Sequence, residues 1–446
     1  MGNTQRTWWN LERCSALQLG CGGSENPGGV PKPMNHSNPS VNHSPPAKTI
    51  CVIFGTRPEV IKLAPVITRL RNSQFQTTVV HTGQHTTLTE DLTNYFGLDP
   101  LILLDRADAN DEDSDNADTN DIGSAHKRMA NNVLDSSRSM KNPSESTDIG
   151  QVLGLMRLVS RFLETHSPDL VLVQGDTASA LAGAMAAHYM KIPVAHLEAG
   201  LRSHDRTQPF PEETNRILIS QLADLHFAPT TTAAEQLILE QMNPKSVYVT
   251  GNSVVDALHT ILNQVKTSAK ETHQNYTAGY SKLAVLTTHR RENLGDPQRR
   301  ILQAVVDLAR QHPDLRILWP VHPNPAIRTV LDLFDLPVNF QTLPPLSYVD
   351  FIPLLNACDL VLTDSGGIQE EAPALGVPVV VLREKTERPE VIDAGYGVLA
   401  GSDPEKIRAG AEHFLQQRFS ATPATLYGNG TTSEQVLKIL IDHFAT

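Results

Sequence analysis

The sequence predicts an α/β protein with two doubly wound, Rossmann-like domains and a ligand in the cleft between them. Short, continuous aliphatic runs alternate with helical segments, a pattern typical of parallel strands that are buried on both faces. The runs form two series that separate near Gly251, and polar residues directly follow several of them. Sites in such folds lie beyond the carboxyl ends of strands, and 446 residues suffice for two domains.

The two series give the predicted elements and domain boundaries. The first domain, 48–250, has predicted strands at 50–54, 78–81, 170–173, 194–196 and 247–249, a helix that Pro58 opens, and a helix at 149–166. The second domain, 251–430, has predicted strands at 283–288, 315–320, 338–342, 359–363 and 378–382. We expect the last residues, 431–446, to form a C-terminal helix that packs back on the first domain.

Two segments do not fit this alternation. Residues 1–47 are rich in Gly, Pro, Asn and Ser without periodicity, which predicts a disordered tail. Residues 105–147 form a polar insertion in the first domain, predicted to be a surface loop or partly disordered. Its first part, 105–121, contains eight carboxylates and one arginine, so much of the formal charge of −12 lies there.

Composition excludes several classes of function. The remainder of the chain is only mildly acidic, which argues against nucleic acid as a partner, and no run of about 18 apolar residues predicts a membrane span. Four cysteines show no metal-ligand spacing, and Cys51 and Cys358 lie in apolar surroundings typical of buried free thiols. That pattern predicts a cytoplasmic protein.

The turn after the predicted strand 359–363 is the most informative segment. Ser365-Gly366-Gly367 opens a helix, so a ligand can approach the backbone and free N–H groups can attract an anion. Glu371, one turn later, could accept hydrogen bonds from sugar hydroxyls, and Arg388 could reach the same ligand from the side. Taken alone, the two glycines favour a simpler interpretation, a tight turn before a well-capped helix.

Polar residues also follow strands of the first domain and the first strand of the second. Arg57 and Lys62 could neutralise a diphosphate, or could belong to an ordinary helix start. Asp176 stands at a predicted N-cap position, and Glu198 and Glu212 lie on loops, so capping and solvated loop acids remain alternatives to catalysis. His289 has two arginines beside it and could bind phosphate, whereas the Pro320–Pro325 stretch, which contains His322, is interpreted as mainly structural.

No Walker loop, zinc spacing, dinucleotide fingerprint or nucleophile elbow occurs, which leaves carboxylate chemistry on a phosphate-linked sugar. The chain closely resembles the non-hydrolysing UDP-N-acetylglucosamine 2-epimerases over about residues 48–445. The resemblance depends on five segments in order: Gly55-Thr56-Arg57-Pro58-Glu59, Gln174-Gly175-Asp176-Thr177, His196-Leu197-Glu198-Ala199-Gly200-Leu201-Arg202, His289-Arg290-Arg291-Glu292-Asn293 and Asp364-Ser365-Gly366-Gly367-Ile368-Gln369-Glu370-Glu371.

This resemblance implies a GT-B-like fold and assigns roles to residues. Arg57, Lys62 and Asp176 would contact the UDP-sugar, and Glu198 and Glu212 would join Asp176 as catalytic acids. The second domain would hold the diphosphate and ribose, with Phe351 beside the uracil and Glu370 as a structural residue. The residues implied for that role are His289, Ser365, Gly366, Gly367, Glu371 and Arg388.

The resemblance also implies the chemistry. Reversible C2 epimerisation of UDP-N-acetylglucosamine would proceed by elimination and re-addition of UDP through a bound glycal, with no redox cofactor and no metal. The product would be an activated sugar for surface polysaccharide synthesis, and the enzyme would be a homodimer. The family's activator-binding Gln-His-Arg-Gln stretch reads Gln84-His85-Thr86-Thr87 here, so Gln84 and His85 are possible allosteric residues and substrate activation is predicted to be weakened or absent.

Three alternatives stay open at this point. A GT-B glycosyltransferase with a UDP-sugar donor would share the nucleotide site but has no need of Asp176, Glu198 and Glu212 together. A close relative could act on a 3-acetamido or uronic-acid sugar, or hydrolyse its product to free N-acetylmannosamine. A UDP-sugar-binding regulator would be favoured if one of the three acids were missing, and all three are present.

Overall fold

The computed structural model describes residues 47–84, 86–104, 148–265, 267–416 and 423–445, which belong to one unit. The predicted insertion 105–147, His85 and the predicted tail up to residue 46 lie outside the described residues. No described helix is long and apolar enough to cross a lipid bilayer.

The first of two parallel sheets, which defines the first lobe, has seven strands within the described residues. Its strand order is β3-β2-β1-β4-β5-β6-β7. The strands are β1 (Thr49–Phe54), β2 (Gln76–His81), β3 (Ile102–Leu103), β4 (Leu170–Gln174), β5 (Val194–Leu197), β6 (Leu225–Ala228) and β7 (Val247–Val249).

The second sheet defines the second lobe and has six strands in the part of the chain that the structure describes, in the order β10-β9-β8-β11-β12-β13. Its strands are β8 (Lys282–Thr287), β9 (Leu315–Pro320), β10 (Phe340–Leu343), β11 (Leu360–Thr363), β12 (Val379–Val381) and β13 (Gly397–Leu399). The predicted α/β class with two doubly wound sheets is confirmed.

Helices connect successive strands and cover the faces of both sheets. They are α1 (Arg57–Arg71), α2 (Thr86–Tyr95), α3 (Asp148–His166), α4 (Ala178–Tyr189), α5 (Glu212–Leu222), α6 (Thr231–Leu239), α7 (Ser253–Gln264), α8 (Ala269–Thr277), α9 (Asp296–Gln311), α10 (Pro325–Leu331), α11 (Tyr348–Ala357), α12 (Gly366–Ala374), α13 (Pro389–Asp393), α14 (Pro404–Gln416) and α15 (Thr432–Ala445).

Strand β1 shows why the aliphatic runs are continuous. Ile50, Val52 and Phe54 pack into one hydrophobic cluster, and Cys51 and Ile53 pack into another on the opposite face of the sheet. Because side chains alternate along a strand, both faces must be apolar when helices cover both sides. The buried thiols predicted at Cys51 and Cys358 are confirmed.

Three short strands have no counterpart in the prediction: β3, β6 and β13. Strand β3 has only two residues, both exposed. Strand β6 interrupts its apolar residues with a histidine, and β13 begins with a glycine. Each forms by pairing with a neighbouring strand of its sheet, which is a tertiary effect that local periodicity does not reveal.

Helix α15 packs against α1 and α7. Asp256 on α7 accepts hydrogen bonds from the backbone N–H (2.9 Å) and hydroxyl (2.6 Å) of Ser433 at its start. At its other end, the ring of Phe444 lies 5.6 Å from that of Phe75 in the first lobe. The C-terminal segment thus returns to the first lobe.

The topology places the candidate residues at two points where the strand order reverses. In the first sheet, β1 lies between β2 and β4, and the turns after β1 and β4 carry Arg57 and Asp176. In the second sheet, β8 lies between β9 and β11, and the turns after β8 and β11 carry His289 and Ser365. Such reversals open the crevice in which α/β folds bind ligands.

Candidate functional site

The turn between β1 and α1 is built around a buried glutamate. Glu59 Oε2 accepts hydrogen bonds from the backbone N–H of Gly55 (3.1 Å) and Thr56 (2.8 Å), which closes a capping box. A Cβ on Gly55 would lie 2.1 Å from the Ser179 hydroxyl, so the chain requires glycine there. Burial raises the pKa of Glu59 to about 7. This turn starts the helix that carries Arg57 and Lys62.

The turn after β4 corrects one prediction. Asp176 does not cap α4; the cap is Thr177, whose hydroxyl accepts from the N–H of Ala180 (3.0 Å) and donates to Glu59 Oε1 (2.8 Å). The hydroxyl of Thr177 reaches the helix because its backbone is extended at the cap position. The carboxylate of Asp176 is therefore available for another role.

That carboxylate is paired with an arginine of α5. Arg216 donates to Asp176 Oδ2 through Nε (3.1 Å) and through Nη2, and Asn215 donates to the Asp176 carbonyl (2.8 Å). Burial by itself raises the pKa of Asp176, but the charge and hydrogen bonds of Arg216 outweigh it and hold that pKa below its usual range.

Glu198 lies at the end of β5 in a strained backbone conformation. Its φ of +66° falls in the left-handed region, which costs of order 1–3 kcal/mol for a non-glycine residue. One carboxylate oxygen accepts from Gln174 Nε2 (2.6 Å) and from Lys62, and the other accepts from Arg388 Nη2 (3.2 Å). Glu198 thus connects the first lobe to a cation of the second.

Glu212 is the first residue of α5 and is half-buried. Its Oε2 is buried without a hydrogen-bond partner among the described residues. Burial and the negative charge of Asp176 raise the pKa of Glu212. Asp176 and Glu212 are therefore neighbouring carboxyl groups whose pKa values are shifted in opposite directions.

In the second lobe, Arg388 is surrounded by carboxylates. Besides Glu198, it donates to Glu370 through Nε and to Glu387 through Nη1. Glu370 Oε2 also accepts from Asn252 (2.6 Å) and lies 4.0 Å from Lys62 Nζ. Glu370, expected to be structural, is therefore part of the same charged cluster in which Lys62 and Arg388 approach from opposite lobes.

The turn after β11 begins with Asp364, which holds the turn after β8 in place through hydrogen bonds. Asp364 is fully buried and accepts hydrogen bonds from the backbone N–H of His289 (3.0 Å) and from Asn293 Nδ2 (3.0 Å). His289 Nδ1 lies 3.1 Å from Asp364 Oδ1, and its exposed ring lies 6.2 Å from that of His322. Ser365 caps α12 without a side-chain hydrogen bond, which leaves its hydroxyl available.

Side-chain interactions of Glu371 join α12 to Tyr348 on α11 and to Arg57 in the first lobe. Tyr348 donates its hydroxyl hydrogen bond to Glu371 Oε1 (3.0 Å), and burial raises the pKa of Glu371 to about 7. Burial lowers the pKa of Arg57, which the nearby Tyr348 and Glu371 partly offset. Phe351 lies on α11 one turn after Tyr348 and is partly buried against the core.

Among the predicted residues, the structure brings five into one charged cluster, which we call the polar cleft: Lys62, Asp176, Glu198, Glu212 and Arg388. Arg57 and Glu371 lie close to this cluster. Gln84 is engaged elsewhere, because its Oε1 accepts from Ser179 (2.7 Å) within the first lobe. The sequence analysis did not single out Gln174, Arg216, Asn252, Tyr348 or Glu387. Gln174, Arg216 and Glu387 lie within four residues of a predicted site residue, but nothing local signals that their side chains point inward. The described residues contain no group of three or more His, Cys, Asp or Glu that could hold a metal ion.

Comparisons with known proteins agree with this geometry. The sequence model of the UDP-N-acetylglucosamine 2-epimerase family matches residues 132–441. A homologue from Thermotoga maritima is 38% identical over 400 residues, covering 88% of this chain and 96% of that homologue. The UDP-N-acetylglucosamine 2-epimerase of Campylobacter jejuni is 35% identical, covering 88% of this chain and 97% of its own.

Among solved structures, the Neisseria meningitidis UDP-GlcNAc 2-epimerase bound to UDP-GlcNAc has a TM-score of 0.73 at 33% identity, covering 89% of this chain and all of that one. The Methanocaldococcus jannaschii enzyme in complex with UDP-GlcNAc and UDP has a TM-score of 0.71 at 30% identity, covering 88% of this chain and 99% of that one. Family and fold agree over the part of the chain that carries the cleft. The chain therefore belongs to the UDP-N-acetylglucosamine 2-epimerase family.

Proposed function

We propose that this protein interconverts UDP-N-acetylglucosamine and UDP-N-acetylmannosamine by eliminating UDP and adding it back to a bound glycal. The observation that carries the proposal is the convergence of three first-lobe acids, Asp176, Glu198 and Glu212, on a cleft whose other wall contributes Arg388. Family membership supports the same substrate.

The acids suit a proton transfer that a simple transferase does not need. In the elimination, a base removes the C2 proton while the C1–O bond to UDP breaks, and the resulting double bond joins C1 and C2. In the return step an acid protonates C2 on the opposite face and UDP re-forms the C1–O bond. Asp176, with its lowered pKa, suits the base, and Glu212, with its raised pKa, suits the acid.

The departing UDP would be stabilised by the cations of the cleft and the start of α12. Lys62 and Arg388 both bind Glu198. A diphosphate would compete with that carboxylate for the two cations, which places the leaving group beside an acid of the first lobe. Gly366 and Gly367 begin α12, where N–H groups lack intrahelical partners, so these groups would add to the anion site.

The ribose and the base would occupy the other end of the cleft. Glu371 offers a carboxylate to the ribose hydroxyls, and Phe351 offers an aromatic ring to the uracil. His289 would contact the diphosphate from the β8 turn, with Asp364 fixing its orientation. The reaction needs no metal or redox cofactor, and its product would serve surface polysaccharide synthesis.

Proton NMR of UDP-N-acetylglucosamine incubated with the protein in deuterated water tests the proposal. UDP-N-acetylmannosamine carrying deuterium at C2 is the expected product. Unchanged substrate would refute the proposal, and free N-acetylmannosamine would indicate the hydrolysing route instead. Glu198→Gln and Glu212→Gln should each lose turnover by about 10²–10⁴-fold while still binding UDP. Glu235→Gln, an exposed glutamate on α6, is the matched control and should keep full activity.

We also propose that the protein is a homodimer that buries an apolar surface on α4 and α5. Tyr189 is 77% exposed there, and a pocket of about 660 Å³ beside it is lined by Met185, Ile192 and Leu222. Light scattering should give twice the chain mass, and Tyr189→Asp should give the monomer. Leu239→Asp, on α6 and equally exposed, should leave the dimer intact; a monomeric unaltered protein would refute this assembly.

A further inference from the structure

The first two turns of α5 contain a buried arginine that the proposed reaction does not use directly. Arg216 is 4% exposed and lies between the carboxylates of Asp176 and Glu213. We propose, on the basis of the epimerase function above, that Arg216, fixed by Glu213, is a positioning residue that orients the carboxylate of Asp176 for proton transfer.

The contacts of Arg216 are suited to fixing an orientation. Its Nε and Nη2 both reach Oδ2 of Asp176, while Nη1 donates to Glu213 Oε2 at 3.1 Å. A guanidinium is planar and carries its donors in a rigid fork, so three bonds to two carboxylates define the position of the whole group. Oδ1 of Asp176 has no part in these bonds and remains the oxygen that can receive a proton.

Glu213 in turn is anchored to backbone. Its two oxygens accept hydrogen bonds from the N–H groups of Ser203 (3.0 Å) and His204 (3.0 Å), on the loop that leads from β5 to α5. Asn215, on the same helix, holds the carbonyl oxygen of Asp176 at 2.8 Å. One short segment of α5 therefore fixes both the backbone and the side chain of Asp176, and the adjacent Glu212 faces the same carboxylate.

The charges around Asp176 show what Arg216 contributes. Ionisable groups face it from α5, α1, β5 and the second lobe: Arg216, Glu212, Lys62, His196 and Glu387. Burial raises the pKa of Asp176, and Arg216 provides the largest opposing effect, ahead of Lys62. Loss of Arg216 would leave the buried Asp176 beside the negative charge of Glu387, so its pKa would rise and its base form would become scarcer at neutral pH.

A purely structural arginine would look similar, and the chain contains a matched example. Arg202 is 7% exposed and binds Glu240, the C-cap residue of α6, through Nε (2.8 Å) and Nη2 (2.6 Å), and Glu240 is not among the residues of the proposed site. Substitution of Arg202 should destabilise the fold as much as substitution of Arg216 and should not alter the chemistry.

The experiment compares Arg216→Met, Arg216→Lys and Glu213→Gln with Arg202→Met. The rate of epimerisation is measured from pH 5 to 9, and UDP affinity is measured by calorimetry. Arg216→Met should lower kcat by about 10²-fold and move the acidic limb of the pH–rate profile up by about 1–3 units. Arg216→Lys retains the charge, so it should lower kcat with a smaller displacement of that limb. Glu213→Gln removes the anchor of the guanidinium but not its charge, so it should lower kcat without moving the acidic limb up, with UDP affinity unchanged in all variants.

Two results would overturn this role. One is a wild-type kcat in Arg216→Lys and Glu213→Gln, which carry the test if Arg216→Met does not fold. The other is an equal loss of kcat in Arg202→Met. An unaltered protein that turns over no substrate would overturn the proposed function and this role with it, whereas an active protein whose Arg216 and Glu213 variants keep the wild-type kcat would overturn this role alone.

Discussion

Substitution of Gly366 by alanine tests whether Arg388 packs against the start of α12. A Cβ at Gly366 would lie 2.8 Å from Arg388 Nη1 and 3.2 Å from its Cζ, closer than side chains normally approach. The end of an arginine can usually move aside, but this one donates to Glu198, Glu370 and Glu387 at once. Gly366→Ala must therefore disturb a guanidinium that three buried carboxylates hold.

The structure supplies a magnitude and a control. Overpacking costs about 1–3 kcal/mol, and each weakened hydrogen bond between charged groups costs about 1.5–3 kcal/mol, so a net loss of about 1–3 kcal/mol is expected after relaxation. At the adjacent Gly367, the nearest atom to a new Cβ is 3.7 Å away. Gly367→Ala therefore meets only ordinary contact and gains about 0.5–1 kcal/mol from helix propensity.

Thermal unfolding of both ligand-free variants, followed by far-UV circular dichroism, measures the difference. Gly366→Ala should melt below the unaltered protein, and Gly367→Ala should melt at the same temperature or above it. UDP affinity, measured by calorimetry, should also fall in Gly366→Ala because Arg388 is displaced. Equal melting temperatures for the two variants would refute the packing argument, since both glycines lie in the first turn of α12.

Three further predictions concern the lobes and the pH dependence. Lys385 Nζ in the second lobe lies 2.6 Å from Asp205 Oδ2 in the first lobe, so Asp205→Asn should speed UDP release at low salt. Because salt screens exposed charges, the difference from the wild-type release rate should vanish in about 1 M salt, and stopped-flow measures both rates. Burial raises the pKa of Glu371 to about 7 from 4.5. The contribution of Glu371 to the free energy of unfolding is therefore complete below about pH 4.5 and is lost as the pH rises through 7. Glu371→Gln should flatten the decline in melting temperature between pH 5 and 8. Burial lowers the pKa of His196 to about 3 from 6.5, so its contribution to the free energy of unfolding is complete above pH 6.5 and is lost as the pH falls towards 3. His196→Gln should therefore reduce the loss of melting temperature between pH 6.5 and 4. An unchanged dependence of melting temperature on pH in Glu371→Gln or His196→Gln would contradict the pKa shift of that residue.

The strand–helix alternation was readable from the sequence because parallel strands need apolar residues on both faces. Strands β1, β4 and β9 appear within one or two residues of their predicted positions. Strand β6 was not predicted, because a four-residue strand that contains a histidine has no distinctive periodicity. Local sequence was also insufficient for Asp176, because its place before a predicted helix suggested that it caps that helix, whereas Thr177 is the N-cap of α4.

The sequence by itself determined the α/β class, the two series of strands and the motifs that follow them, because periodicity and strand-end turns are local properties of the chain. Only the tertiary structure decided which charges meet. Arg216 reaches Asp176 across 40 positions and Arg388 reaches Glu198 across 190, distances in sequence over which no local pattern specifies a contact. Those pairings depend on the order of strands in the two sheets and on the closeness of the two lobes, and the pairing with Arg216 holds the pKa of Asp176 below its usual range.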